Sequence, residues 1–142
     1  MYEYKVKILR VVDGDTVDVD IDLGFGVWMH RERIRLWGID TPESRTSDPV
    51  EKVFGNYAKQ WVKDQMPIGS MQTMRTQKDK TGKFGRILGE FIINGKSINE
   101  IMVDKYIAVR YHGQSKDEIE KMHLVNREYL LENGIINRDD IT

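Results

Sequence analysis

The architecture depends on Val11-Val12-Asp13-Gly14-Asp15-Thr16-Val17-Asp18-Val19-Asp20-Ile21-Asp22-Leu23, whose second half alternates between apolar residues and aspartates. Because successive side chains of a strand point to opposite faces, this period of two predicts a strand with one buried face over residues 16–23. The Asp13-Gly14-Asp15 sequence predicts a tight turn. Another strand is predicted before this turn, over residues 4–12, antiparallel to the strand over residues 16–23.

Helix signals follow a third strand, which is predicted over residues 27–37. Asp48 is a favoured N-cap residue, and Pro49 suits the first helical position. Apolar residues then recur at helical spacing until Pro67, which ends the helix. The sequence therefore predicts one amphipathic helix between the third and fourth strands.

The rest of the chain predicts two strands and two helices. The strands are expected over residues 70–77 and 86–93. The capping boxes Ser97-x-x-Glu100 and Ser115-x-x-Glu118 each open a helix, the second of which runs over 115–132. Three strands, a helix, two strands and two helices can close into a five-stranded oligonucleotide-binding (OB) barrel with three α-helices, an α+β fold that is mainly β.

Length and composition narrow the class of protein. With 142 residues, 39% hydrophobic and 32% charged, the chain is expected to form a single domain, residues 1–142, and disordered or membrane-spanning classes are disfavoured. The absence of cysteine excludes disulfides and thiolate metal sites. The first residues lack a secretory signal, so a cytoplasmic protein is expected, with secretion not excluded. A monomer that binds no membrane is the simplest expectation.

Charge is distributed unevenly along the chain. Residues 1–44 carry 6 Lys/Arg and 9 Asp/Glu, a net charge of −3, whereas residues 45–90 carry 9 and 5, a net charge of +4. An acidic part beside a basic part suits a cation site flanked by a surface that attracts phosphate. Ordinary surface scatter is the alternative interpretation.

Two aspartates are candidate metal ligands. Asp15 begins a predicted strand and Asp40 ends another, so both side chains can reach one end of the barrel if the strands are neighbours. Carboxylates together with a backbone carbonyl and water form a hard oxygen site for Ca²⁺ or Mg²⁺. The alternative is that Asp15 forms a turn and that Asp40-Thr41-Pro42-Glu43 begins a loop.

Two arginines and one glutamate complete a set that suits phosphodiester hydrolysis. Arg35 lies within a predicted strand, and Arg86 begins another. Their planar guanidinium groups can stabilise the charge that develops on a scissile phosphate. Glu43 supplies a carboxylate that can take a proton from the attacking water. A solvated barrel face is the alternative for Arg35.

Other polar residues carry weaker signals. Asp18-x-Asp20-x-Asp22 resembles a calcium loop faintly, but its sixth and twelfth positions are Leu23 and Met29 instead of glycine and glutamate. An exposed acidic strand face is the preferred interpretation. The three histidines lack the spacing of metal ligands and are expected to be surface or packing residues: His30, His112 and His123.

Three segments together resemble the thermonuclease (staphylococcal nuclease-like) family over residues 5–112. They are Val11-Val12-Asp13-Gly14-Asp15-Thr16-Val17, Arg35-Leu36-Trp37-Gly38-Ile39-Asp40-Thr41-Pro42-Glu43 and Gly85-Arg86-Ile87-Leu88-Gly89. The resemblance implies an OB barrel with three helices. It also implies a Ca²⁺-dependent endonuclease, with one bound ion, that cleaves DNA and/or RNA with weak sequence preference, favours single strands and leaves a 3′-phosphate.

The resemblance also assigns roles to individual residues. Metal ligands are implied at Asp15 and Asp40, and at Thr41 through its backbone carbonyl. Glu43 is the implied general base. The implied phosphate-clamping arginines are Arg35 and Arg86.

The chain departs from the family pattern in the loop before Arg86. The aspartate that the family often has there is either displaced along the loop or replaced by Gly82, and Phe84 lacks a tyrosine hydroxyl. Lys83 keeps its place as a phosphate-binding charge. Tyr111 is the counterpart of the nucleotide-seating tyrosines, so the implied substrate-binding residues are Lys83 and Tyr111. The altered loop supports the alternative function, a catalytically inactive OB-type module that binds nucleic acid or protein.

Overall fold

Five strands close into a mixed β-barrel in the computed structural model, which describes residues 2–77 and 87–141. The barrel order is β3-β2-β1-β5-β6, and all these neighbours are antiparallel. A parallel pairing between β3 and β6 closes the barrel. The strands of the described residues are, in chain order, β1 (Glu3–Asp13), β2 (Thr16–Asp22), β3 (Trp28–Leu36), β4 (Ile39–Asp40), β5 (Met71–Gln77), β6 (Ile87–Ile93), β7 (Lys96–Ser97) and β8 (Val109–Arg110).

The hairpin of β1 and β2 has the burial pattern that the alternating sequence predicts. Val17, Val19 and Ile21 are buried in the barrel, whereas the intervening aspartates are half-buried. Asp13 pairs with Thr16 across the turn. This tight connection places the Asp-Gly-Asp turn at one end of the barrel.

Three α-helices occur in the parts of the chain that the structure covers: α1 (Pro49–Gln65), α2 (Ile98–Asp104) and α3 (Lys116–Glu132). The predicted caps are confirmed: the Asp48 side chain accepts hydrogen bonds from two backbone N–H groups of α1, and Ser97 and Ser115 cap the other two helices. A 3-10 helix, Arg138–Ile141, follows α3. None of the helices in the described ranges is long and apolar enough to cross a membrane.

The helices bury apolar faces in two clusters. Ala58 and Val62 of α1 and Met102 of α2 pack into the barrel core. Phe54 of α1 packs with Leu130 of α3 in a smaller cluster. Leu130 is the one residue of α3 that is fully buried, whereas α1 buries four residues.

The seam where the barrel closes lies beside the candidate site. Arg35 of β3 pairs with Leu88 of β6, and a Cβ on the next residue, Gly89, would lie 2.7 Å from the Ile34 side chain. Asn99 of α2 donates hydrogen bonds from Nδ2 to the carbonyls of Trp37 (2.9 Å) and Gly89 (3.2 Å). The seam therefore fixes the backbone on either side of Arg35.

The OB-type barrel and the order of its major elements are confirmed. The two-residue strands β4, β7 and β8 were not predicted, because two residues are too few to show a period of two. The strand predicted over 86–93 is described from Ile87 onward, since residue 86 lies outside the described ranges.

Candidate active site

The register of β2 and β3 brings the first candidate residues together. Thr16 pairs with Arg35, so Asp15, the residue before Thr16, lies beside the Arg35 side chain. The Leu36 N–H donates a 2.8 Å hydrogen bond to the Asp15 carbonyl. A Cβ at Gly14 would lie 2.8 Å from the Ala58 Cβ, so the turn lies directly on α1. The backbone of the turn is thus fixed by β3 on one side and by α1 on the other.

Arg35 bridges two of the predicted metal ligands. Its Nη1 lies 3.4 Å from the Asp15 Oδ2, and its Nη2 lies 3.4 Å from the Asp40 Oδ1. Nη1 also donates to the Leu36 carbonyl at 3.2 Å. The Arg35 side chain is 20% exposed. The Arg35 guanidinium, which keeps limited contact with solvent, therefore spans both carboxylates.

Thr41 joins the same cluster through its backbone. Its N–H donates a 3.1 Å hydrogen bond to the Asp15 Oδ2, which also faces Arg35. Asp40 is positioned by β4, which pairs with β8 through Asp40 and Val109. Asp15, Arg35, Asp40 and Thr41 therefore lie within one network of contacts.

The chemistry of this cluster fits a hard divalent cation. The Asp15 and Asp40 carboxylates contact the same guanidinium group and are therefore close to each other. Both supply oxygen ligands, which Ca²⁺ and Mg²⁺ prefer. Within residues 2–77 and 87–141, no three His, Cys, Asp or Glu side chains converge in a metal-binding group. A cation bound by Asp15 and Asp40 would therefore complete its coordination with backbone oxygens and water.

The loop that carries Glu43 is held against α1 and the turn. Asp13 Oδ1 accepts hydrogen bonds from the Ser44 N–H (3.1 Å) and from the Ser44 hydroxyl. Gly55 of α1 allows this approach, because a Cβ there would lie 2.6 Å from the Ser44 nitrogen and would overlap the Glu43 carbonyl. The exposed Glu43 side chain forms no hydrogen bond or ion pair within the part of the chain that the structure describes.

A second carboxylate lies within electrostatic range of Glu43. Burial of Glu51 raises the pKa of its carboxyl, and the negative charge of Glu43 raises it further. The positive charge of Arg127 on α3 partly offsets this shift. The first turn of α1 thus adds to the negative charge around the Glu43 loop.

Comparison with known proteins identifies the family. The model of the family described as "Staphylococcal nuclease homologue" matches residues 33–129. The chain belongs to the staphylococcal nuclease family. This match includes Arg35, Asp40, Thr41 and Glu43.

Several known proteins are moderately similar to the chain. An uncharacterised protein of Bacillus anthracis is 34% identical over 69% of the chain, and the SPbeta prophage-derived endonuclease YokF of Bacillus subtilis is 28% identical over 72%. A thermonuclease of Staphylococcus hyicus is 29% identical over 75%. The aligned parts cover only 43%, 33% and 59% of these relatives, in the same order.

Two predicted site residues of this staphylococcal nuclease domain, Lys83 and Arg86, lie outside the described residues, so their roles stay predictions. Tyr111 is described and exposed. Its N–H donates a 2.8 Å hydrogen bond to the Gly38 carbonyl, next to the equally exposed Trp37. The Tyr111 ring is therefore accessible beside the strand pair that carries Asp40, and its role in substrate binding stays a prediction.

His123 contacts the cluster although sequence analysis gave it no role at the site. Its Nε2 lies 2.7 Å from the Asp40 Oδ2, and its side chain is only 11% exposed. The two residues are 83 positions apart, so no local spacing could have signalled the contact. Sequence analysis expected a surface or packing residue, whereas the structure places the His123 side chain against a candidate metal ligand.

Proposed function

We propose that this protein is a metal-dependent endonuclease that hydrolyses phosphodiester bonds of DNA and/or RNA, with little sequence specificity and with Ca²⁺ as its metal. The observation that carries the proposal is the Arg35 guanidinium, which lies 3.4 Å from the carboxylates of both Asp15 and Asp40. Groups that are suited to bind a cation and a phosphate therefore lie together at one end of the barrel. Membership of the staphylococcal nuclease family supports the same chemistry.

The proposed binding roles follow from donor type and exposure. The Asp15 and Asp40 carboxylates and the Thr41 carbonyl would hold Ca²⁺, which when bound supplies positive charge to the oxygens of the scissile phosphate. Arg35 would donate N–H groups to the same phosphate as its negative charge increases. Because Arg35 is largely buried, its charge is screened less than that of a surface arginine.

Glu43 is the proposed general base. Its exposed carboxylate has no partner in the described ranges that would compete for a water molecule. It would accept a proton from the water that attacks phosphorus. By the family resemblance, Arg86 is the second phosphate clamp, and Lys83 and Tyr111 contact the flanking nucleotide.

A panel of metals and substrates tests the proposal. Single-stranded DNA, double-stranded DNA and RNA are incubated with Ca²⁺, Mg²⁺ or a chelator, and the products are separated by size. We expect cleavage with Ca²⁺, loss of cleavage with the chelator, and faster cleavage of single strands. Tight single-strand binding without cleavage in any metal would instead support the non-catalytic binding module.

Replacing Glu43 separates catalysis from binding. We expect Glu43→Gln to slow cleavage by about 10²–10⁴-fold, the usual contribution of a general base, and to leave nucleotide affinity nearly unchanged. Glu132→Gln, which neutralises an exposed carboxylate at the end of α3, is the control and should cleave at the wild-type rate. Equal losses of binding and cleavage in Glu43→Gln would contradict the assigned role.

A further inference from the structure

The Asp40 carboxylate is held by two elements that are far apart in sequence. Its Oδ1 lies 3.4 Å from Arg35 Nη2 of β3, and its Oδ2 lies 2.7 Å from His123 Nε2 of α3. An ionised carboxylate only accepts hydrogen bonds, so Nε2 must carry the proton and donate it. One donor on each oxygen fixes both the position and the plane of the Asp40 carboxylate.

The burial of His123 indicates that this contact matters to the protein. His123 Nδ1 is buried and has no hydrogen-bond partner among the described residues. Leaving a polar atom unpaired in the interior costs free energy, so the position is not what simple packing would select. The compensating interaction on the same ring is the short hydrogen bond to Asp40.

We propose that His123 is a positioning residue that orients the Asp40 carboxylate for metal binding. This inference rests on the proposed function, because it assumes that Asp40 is a metal ligand. Groups that hydrogen-bond to metal-ligating carboxylates orient them, and loss of such groups typically weakens metal binding 10–100-fold. In this role α3 is part of the metal site and not only a cover for the barrel.

The chain offers a matched control on the same helix. Asn126, three residues after His123, donates a 3.2 Å hydrogen bond from Nδ2 to the Ala108 carbonyl. This bond also attaches α3 to the rest of the molecule, but it does not contact a candidate ligand. A purely structural role for His123 predicts similar effects from the loss of either bond, whereas a positioning role does not.

Calcium titration calorimetry on three variants of the full chain tests the inference. We expect His123→Leu to weaken Ca²⁺ affinity by about 10–100-fold. His123→Gln retains an N–H donor of similar reach and should restore most of the affinity. Asn126→Leu should lower the melting temperature while it leaves Ca²⁺ affinity within about 3-fold of wild type. If His123→Leu does not fold, His123→Met serves as the variant without a donor.

Cleavage rates give a second measurement. In His123→Leu, the Ca²⁺ concentration for half-maximal cleavage should rise by about the same 10–100-fold, while kcat at saturating Ca²⁺ stays close to wild type. If wild type binds Ca²⁺ and the His123 variants bind it equally well, the positioning role is wrong but the nuclease proposal stands. A folded wild type that binds no Ca²⁺ overturns both.

Discussion

Two arginines of β3 each lie beside an aspartate, and the two pairs differ in their surroundings. Arg33 lies beside Asp18 of β2, and Arg35 lies beside Asp15 in the turn before β2. Among the described residues, the Arg33 guanidinium contacts only Asp18, with Nε 2.9 Å and Nη2 3.2 Å from its oxygens, and the Arg33 side chain is 59% exposed. Arg35 lies at longer range from Asp15 and Asp40 and is 20% exposed. The pair with the better ion-pair geometry is therefore the more exposed one.

This difference shows what distinguishes a candidate site from an ordinary surface ion pair. The Arg33 guanidinium is satisfied by one carboxylate, whose hydrogen bond raises the pKa of Arg33 further. The Arg35 guanidinium is shared among several acceptors at longer distances and is partly protected from solvent. Convergence of several acceptors and burial, more than residue type or short distances, distinguish Arg35, the proposed phosphate ligand, from Arg33.

Replacing each arginine in turn tests this comparison, and loss of Arg35 is expected to have the largest effect on cleavage. Arg35→Gln should lower kcat/KM for single-stranded DNA by about 10²–10³-fold, the usual cost of losing a donor to a developing anion. Arg33→Gln should leave kcat/KM unchanged, because its charge is already paired away from the cluster. Comparable losses in both variants would mean that general attraction of nucleic acid, and not the site, depends on these charges.

Sequence analysis predicted the parts of this comparison that local patterns encode. The alternation after Val17 predicts β2 and its buried face, and the β2–β3 hairpin then places Asp15 beside Arg35. The caps at Asp48 and Ser115 fix the beginnings of α1 and α3 because capping is a short-range interaction.

Contacts between distant parts of the chain were not predictable in the same way. The bond between His123 and Asp40 joins residues 83 positions apart, and it depends on how α3 docks. The approach of the Glu43 loop to Gly55 likewise depends on tertiary packing. Neither contact leaves a spacing pattern in the sequence, so only the folded structure reveals which residues support the site.

Two glycines, Gly55 of α1 and Gly26 in the turn between β2 and β3, provide the second prediction. Gly55→Ala should destabilise the protein by about 1–3 kcal/mol, because the added methyl group meets the backbone of Glu43 and Ser44. Displacement of that loop should also lower activity. Gly26→Ala, at the far hairpin, meets no atoms but has φ +76°, so we expect a cost of about 1 kcal/mol and normal activity. Chemical denaturation with cleavage assays measures both quantities.

Two carboxylates with opposite pKa shifts give the third prediction. The pKa of Asp20, near the hairpin, is lowered chiefly by the hydrogen bond from the Arg31 N–H (2.9 Å). Asp20 therefore contributes stability above its ordinary pKa of 3.8 that is lost as pH falls through the lower folded value. The pKa of Glu51 is raised, so ionising it costs stability as pH rises above 4.5.

The corresponding variants should have opposite effects at pH 7. Asp20→Asn should lower the free energy of unfolding by about 1 kcal/mol, and Glu51→Gln should raise it by about 0.5 kcal/mol. Urea denaturation between pH 3 and pH 7 measures both differences. Each difference in the free energy of unfolding should become smaller as the pH is lowered toward 3, because the wild-type carboxylates then become protonated in both the folded and the unfolded state. Effects of the same sign at pH 7 would contradict this account.

The smallest expected effect concerns the ion pair between the exposed Arg33 and the half-buried Asp18. Despite its bidentate geometry, an ion pair so accessible to water is screened, and its coupling energy should be about 0.2–1 kcal/mol. A double-mutant cycle with Asp18→Asn and Arg33→Gln measures that energy, and it should decrease when the salt concentration is raised from 0.1 M to about 1 M. A coupling of several kcal/mol that is insensitive to salt would mean that this end of the hairpin is shielded from water, and the contrast with Arg35 would then no longer rest on burial.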